Sequence, residues 1–207
     1  MEQMTDPRTD AELVQSFRAG DEVAFTMLVQ RYLSSVYTFL YRMTGESGLA
    51  EDATQETFVK VWQKLNAFDA RKPFKTWLFT IAKHAVIDQL RKKRPILFSV
   101  MDEQDRDFDF AATIPDERPL PSTLLDREEV VRYLAELLCT VSVQARAVIL
   151  MHETEDMTFE EIAVVVGEPM NTVKSRYRRT MAFLRKTVVD RYTHLAGKGP
   201  NSDEMHQ

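Results

Sequence analysis

A single cysteine, Cys139, stands in 207 residues, which excludes an internal disulfide and any cysteine-rich metal site. Set in the run YLAELLCTV, it is expected to be a small core residue. No apolar run approaches the length of a bilayer span, and the opening MEQMTDPRTD is polar and partly acidic. Neither membrane insertion nor a signal peptide is therefore expected, and the protein is assigned to the cytoplasm. The chain also lacks a phosphate-cradling glycine loop, the main sign of nucleotide use. His152-Glu153 begins like a zinc-protease motif, but no second histidine follows at the required position. His84 and Asp88, four apart on one helix, supply only two of the ligands that a metal site needs. The expectation is a protein without cofactor, metal or enzymatic activity.

Excess charge of one sign is also modest overall, a formal net of −5, and an acidic total fails the simple test for an independent nucleic-acid binder. The sign is segregated, however. From Arg71 to Arg94 eight Lys or Arg face Asp88 alone, and from Met170 to Arg191 seven face only Asp190. Between them, from Asp102 to Glu129, ten Asp or Glu face three Arg. Two basic modules flank an acidic connector.

The most informative stretch is Thr158 to Arg185, TFEEIAVVVGEPMNTVKSRYRRTMAFLR. Thr158 followed three residues later by Glu161 is a capping box that opens a helix. Phe159, Ile162, Ala163 and Val166 form an apolar stripe, and Gly167 with Pro169 ends it. A second helix opens near Met170 with Met170, Val173, Tyr177, Met181 and Leu184 inward. Ala163 at the crossing, Gly167 at the turn and Val173 as the wedge make a helix-turn-helix. The outer face of the second helix carries Asn171, Thr172, Ser175, Arg176, Arg178 and Arg179 with Lys174 beside them, donors suited to a major groove and its phosphates.

Upstream, the periodicity predicts four helices. Ala11, Leu13, Val14 and Phe17 mark a short one, stopped by Ala19-Gly20-Asp21. Phe25, Leu28, Val29, Tyr32, Val36, Phe39, Leu40 and Met43 mark a longer one. A third, Leu49 to Leu65, is expected to bury Leu49, Ala53, Phe58, Val61, Trp62 and Leu65, and its first half carries Glu51, Asp52, Gln55 and Glu56 with no basic residue. After the loop Asn66 to Pro73, the fourth runs from Phe74 to about Arg94. Phe74, Trp77, Leu78, Ile81 and Ala85 fall on one side; Thr76, Phe79, Thr80, Lys83, His84, Ile87, Arg91 and Arg94 fall on or near the other. An exposed face mixing threonine, histidine, an aromatic ring and cations suits unpaired DNA, whose bases stack on rings while its phosphates meet cations.

The run AEDATQETFVKVWQKLNAFDARKPFKTWLFTIAKHAVIDQLRKKR resembles region 2 of the bacterial RNA polymerase sigma factors of the extracytoplasmic-function (ECF) type, and MTFEEIAVVVGEPMNTVKSRYRRTMAFLR resembles their region 4. With the helices before each, the similarity spans about residues 10 to 190. It rests on Asp52-x-x-Gln55-Glu56-x-Phe58, Thr76-Trp77-Leu78, Ile87-Asp88-x-Leu90-Arg91 and Thr172-Val173-Lys174-Ser175-Arg176. The resemblance implies that Asp52, Gln55, Glu56 and Phe58 grip the coiled coil of the polymerase β′ subunit, with the β subunit also in contact. It implies that Asn66, Phe68, Asp69, Arg71 and Lys72, then Lys75, Thr76, Thr80, Lys83, His84, Ile87 and Arg91, hold the melted −10 element of a promoter. Asn171, Thr172, Lys174, Ser175, Arg176, Arg178 and Arg179 would read the −35 element. An anti-sigma factor and a role in a stress or envelope response are further implications. Three positions depart from the family's usual pattern: Lys83-His84 where Arg-Asn is common, Asn171 where glycine is frequent, and Val141-Ser142-Val143 without the usual Leu-Pro.

The expected architecture is all-α: two small helical domains joined by a flexible acidic linker, the second containing the helix-turn-helix. Residues 1–94 form the region 2-like domain, 95–123 the linker, 124–195 the region 4-like domain and 196–207 a disordered tail. In the second domain Leu125, Val130, Leu134, Leu137 and Leu138 mark one helix, and Val143, Ala147, Ile149, Leu150 and Met151 the next. The linker holds four prolines, Pro95, Pro115, Pro119 and Pro121; it would reach at most ~100 Å extended and average about 30 Å if flexible. Such a tether permits two DNA elements to be engaged at once without fixing their spacing. The implied function is a promoter-specificity subunit of RNA polymerase. The alternative is an autonomous helix-turn-helix regulator that needs no polymerase.

Overall fold

A computed structural model of the chain describes residues 6–93 and 127–196. The expected linker lies outside the described residues, as does the expected tail apart from Ala196. Among the described residues the regular elements are all helical, and most end where local chemistry says they should. Helix α1, Asp10–Arg18, opens on a capping box in which Thr9 N donates to Glu12 Oε2 at 2.6 Å and Glu12 N to Thr9 Oγ1 at 3.3 Å. Asp21 caps α2, Glu22–Thr44, by accepting from Val23 N at 3.0 Å, and Gly45 ends it at φ 72°. Helix α3, Ser47–Lys64, runs on into a 3-10 turn, Leu65–Ala67. Pro73 precedes α4, Phe74–Lys93, and its carbonyl accepts from Trp77 N at 3.3 Å.

The second set is α5, Arg127–Leu138; α6, Val143–Glu153, capped by Ser142 Oγ accepting from Ala145 N at 3.2 Å; α7, Phe159–Val166; and α8, Met170–Ala196. Leu137, Val141, Ala145, Ile149 and Leu184 form a small core of their own beneath the last helix. The larger core does not stop at the module boundary. Val143, Leu150, Ile162 and Val165 belong to the same buried cluster as Leu28, Phe39, Leu78 and Phe79, because α7 lies against α4 and α6 against α2. A buried guanidinium adds a polar link: Arg146 donates to Met43 O at the end of α2, and its other nitrogen to Val141 O at 3.2 Å.

This docking corrects the expected open face of α4. Phe79 is fully buried, its ring 5.2 Å from that of Phe39 in an edge-on contact, and Thr76, Ala82 and Val86 are buried as well. The helix is flanked on two sides, by α2 and α3 and by α7, so a wheel divided into a core half and a solvent half does not describe it. Residue type misled in the opposite sense elsewhere. Trp62, expected inside, is 43% exposed: its ring packs edge-on against Phe17 and Phe25, at 5.1 and 4.9 Å, and leaves its other face open. Leu134 is exposed, and Cys139, just past the end of α5, is exposed too.

Candidate nucleic-acid interface

The helix-turn-helix is built as its spacing requires. Thr158 N donates to Glu161 Oε2 at 2.9 Å and Glu161 N to Thr158 Oγ1 at 3.2 Å, completing the capping box. Gly167 adopts φ 74°, a left-handed conformation that costs glycine little, and its amide reaches Ala163 O at 2.9 Å. Pro169 O then accepts from Thr172 and Val173 amides at 2.9 and 3.1 Å, starting α8. Val173 is fully buried as the wedge. Three rings set the angle between the helices: His152 stacks on Phe159 at 4.4 Å, and Tyr177 meets Phe159 edge-on at 5.3 Å. The Tyr177 hydroxyl donates to Glu153 at 2.5 Å, a bond that holds its proton more firmly than in a free phenol.

On the outer face of α8, Asn171, Thr172, Ser175, Arg178 and Arg179 are exposed and Lys174 is half-buried, its ammonium 5.8 Å from the Phe159 ring centre. Arg176 is different. It is only 8% exposed, and Nη1 pairs with Glu168 Oε2 at 2.6 Å. Three residues past the wedge Val173, it shares the packed face of the helix and ties α8 back to the turn.

The second set of residues splits more sharply. In the loop before α4, Asn66, Arg71 and Lys72 are exposed and Asp69 is half-buried. Asp69 accepts from Arg71 N at 3.1 Å and from Arg71 Nε at 2.9 Å; the Arg71 side chain, with its amide, pulls the carboxyl down to about 2. Phe68 is buried, 5.7 Å from Phe74 and 4.6 Å from Trp77, and its carbonyl accepts from Arg18. It holds the loop rather than presenting a ring. Along α4, His84 and Arg91 are exposed, Thr80 and Ile87 half-buried, and Thr76 buried. Lys75 and Lys83 are half-buried because α7 and the loop before it lie over them. Lys75 Nζ is 3.5 Å from Glu155 Oε2, and Lys83 Nζ donates to Val165 O at 3.0 Å. Burial lowers the Lys83 pKa, against the attraction of Glu168.

The acidic patch lies along α3. Asp52 and Gln55 are exposed. Glu56 pairs with Lys60 at 2.6 Å and accepts from Gln89 of α4 at 3.0 Å; Lys60 first, then Gln89, holds its carboxyl below the usual range against the effect of burial. Phe58 is partly buried against the core and supports the patch from behind. Sequence reasoning missed Val59, which is exposed beside Trp62. Helical spacing carried the signal, since Asp52, Gln55, Val59 and Trp62 follow one stripe at three- and four-residue steps. Among the described residues, the acidic-to-apolar stripe of α3 has the chemistry of a protein-contact surface, and the cations of α4 and α8 have the chemistry to meet phosphates.

Comparison with known proteins agrees with this layout. The family Sigma-70 region 2 matches residues 28–96 and Sigma-70, region 4 matches residues 132–184. The ECF RNA polymerase sigma factor RpoE of Cereibacter sphaeroides is 31% identical over 88% of this chain and 98% of its own. The ECF RNA polymerase sigma factor SigW of Bacillus subtilis is 28% identical over 86% of this chain and 95% of its own. Among solved structures, CnrH, in complex with the cytosolic domain of CnrY, has the same fold with a TM-score of 0.66 at 23% identity, over 87% of this chain and 97% of that one. The sigma factor RpoE in complex with the anti-sigma factor NepR from Bartonella quintana gives 0.60 at 24% identity, over 79% of this chain and 96% of that one.

Proposed function

Because the chain belongs to the ECF RNA polymerase sigma factors, we propose that it binds core RNA polymerase, directs it to a small set of promoters and helps open the duplex there. One observation carries this most strongly: the exposed acidic stripe of α3 and the basic outer face of α8 stand on one chain, in the order of the family's two regions. Asp52, Gln55 and Glu56 form the polymerase contact, with Phe58 behind them. Asn66, Arg71, Lys72, His84 and Arg91 form the accessible part of the −10 contact, and Asn171, Thr172, Ser175, Arg178 and Arg179 the −35 contact. Opening draws on the binding energy of these contacts. The site of action is the cytoplasm, where promoters and polymerase are, and the occasion is a stress or envelope response. Since two structural relatives were solved with CnrY and with the anti-sigma factor NepR, a protein of the anti-sigma kind is proposed as a partner here also.

Run-off transcription with purified core enzyme, on promoters selected with the protein present, tests this reading. Transcripts are expected only when the protein is added; equal initiation by core enzyme alone would contradict it. Within the same assay Arg178→Ala, at an exposed position on the outer face of α8, is expected to lower initiation about tenfold or more. Loss of one good base-edge contact costs ~1–3 kcal/mol, and the residue's exposure means the fold is unaffected.

A further inference from the structure

The loop between α3 and α4 is held from behind by the first helix of the chain. At the C-terminal end of α1, Arg18 Nη2 donates to Leu65 O at 3.3 Å and to Phe68 O. These carbonyls stand at the start of the 3-10 turn that continues α3 and just past its end, where a cation also meets the negative end of the helix dipole. Beside Arg18, Phe17 packs edge-on against Trp62 in the last turn of α3, at 5.1 Å. The N-terminal end of α1 reaches the same loop by a second route. Asp10, paired with Arg31 at 2.5 Å, accepts from the Tyr32 hydroxyl at 2.5 Å. The Tyr32 ring lies 5.5 Å from Phe74, which meets Phe68 at 5.7 Å. Between these supports the tip of the loop closes on itself, Lys72 N donating to Asp69 O at 2.9 Å. Phe68 is thus fixed at its carbonyl by Arg18 and at its ring by Phe74 and Trp77. Asn66 falls between the two carbonyls that Arg18 holds, and Asp69 follows the second.

We propose that α1 is a brace for this loop and Arg18 its positioning residue: by holding Leu65 and Phe68, Arg18 sets where Asn66, Asp69 and Arg71 stand, and so how sharply the −10 element is discriminated. Contacts select only when their side chains are held to about 0.5 Å. Arg18 acts through the loop and touches no base itself. The selectivity half rests on the reading of the loop as a −10 contact; the brace rests on the hydrogen bonds and ring contacts alone.

The test measures initiation by core polymerase with the full chain on a selected promoter, and on copies carrying single base-pair changes in the −10 or the −35 element. The ratio of selected to changed promoter is the discrimination. Arg18→Ala is expected to lower the −10 ratio about tenfold, on the order of one lost base contact, and to leave the −35 ratio within about twofold. Equal loss on every promoter with both ratios intact, the mark of a phosphate contact or of a weakened fold, overturns the brace. Amide hydrogen exchange in the free chain reads the brace without polymerase or DNA. Arg18→Ala is expected to speed exchange at Phe68 and Lys72, whose amides bond within the loop, and to leave α2 unchanged; unaltered exchange at Phe68 overturns the brace. Arg18 is exposed; should Arg18→Ala nonetheless lose helical circular dichroism, Arg18→Met, which keeps the apolar stem and removes the donors, carries the same expectations. Asn66→Ala with Arg71→Ala, both exposed in the loop, separates the two readings. If this pair lowers the −10 ratio and Arg18→Ala does not, the brace falls and the −10 reading stands. If neither lowers it, the −10 reading of the loop falls, and with it the selectivity half.

Discussion

Asp52→Lys is expected to weaken binding to core polymerase at least about thirtyfold and to abolish promoter-dependent transcription, while leaving the melting curve of the free protein unchanged. Reversing a charge at a complementary interface costs ~2–5 kcal/mol, and 1.4 kcal/mol is about a factor of ten. The structure makes Asp52 the cleaner probe of the acidic stripe, because it is exposed on α3. Glu56, by contrast, is tied to Lys60 at 2.6 Å and to Gln89 of α4 at 3.0 Å. Its replacement therefore mixes lost binding with lost structure. The sign of the pH effect follows from the same contacts. A carboxyl held below its ordinary pKa in the folded protein contributes stability above the ordinary carboxylate range and loses it as pH falls through the lowered value. Glu56→Gln should thus flatten acid unfolding slightly. Copurification with core enzyme measures the first effect. Undiminished retention of Asp52→Lys would remove α3 from the polymerase contact.

Phe79→Ala carries the largest expected cost to the fold, about 3–5 kcal/mol, the range for truncating a buried aromatic ring. Phe79 is fully buried and in edge contact with Phe39, and its cluster includes Ile162 and Val165 of the second module. Urea unfolding followed by circular dichroism reads the change. The expected result is a large fall in midpoint, with both modules affected in one transition. Val59→Ala, at an exposed site on α3, is expected to stay within about 0.5 kcal/mol. A loss under about 1 kcal/mol for Phe79→Ala would mean that this side of α4 faces water, as a two-sided reading of the helix suggests.

That two-sided reading shows where sequence reasoning stops. Caps, glycine stops and three- and four-residue spacing are local, so the helix-turn-helix and the ends of α1, α2 and α7 were legible. The Thr9-x-x-Glu12 box follows the same rule as Thr158 and Glu161, before a shorter helix. Burial is not local. Helix α4 carries Phe74, Trp77, Leu78, Phe79, Ile81, Ala82, Ala85 and Val86, apolar residues around most of its circumference. A helix apolar all round has neighbours on more than one side, so the pattern held the signal and only the identity of the second neighbour, α7, was missing. For Trp62 and Cys139, residue type says little about which side of a ring or thiol is covered. Arg176 belongs to the TVKSR signature, yet its step from Val173 places it on the packed face, where Glu168 from the turn receives it at 2.6 Å. A motif names residues; the helix phase decides which of them face outward.

The central claim is that two cation-bearing helical modules act at separate promoter elements only when polymerase aligns them. Permanganate reactivity of the thymines in a selected promoter tests it most directly, with the protein alone, core polymerase alone and the two together. Reactive, unpaired thymines confined to the combined reaction are the predicted result. Equally selective melting by the protein alone would contradict it.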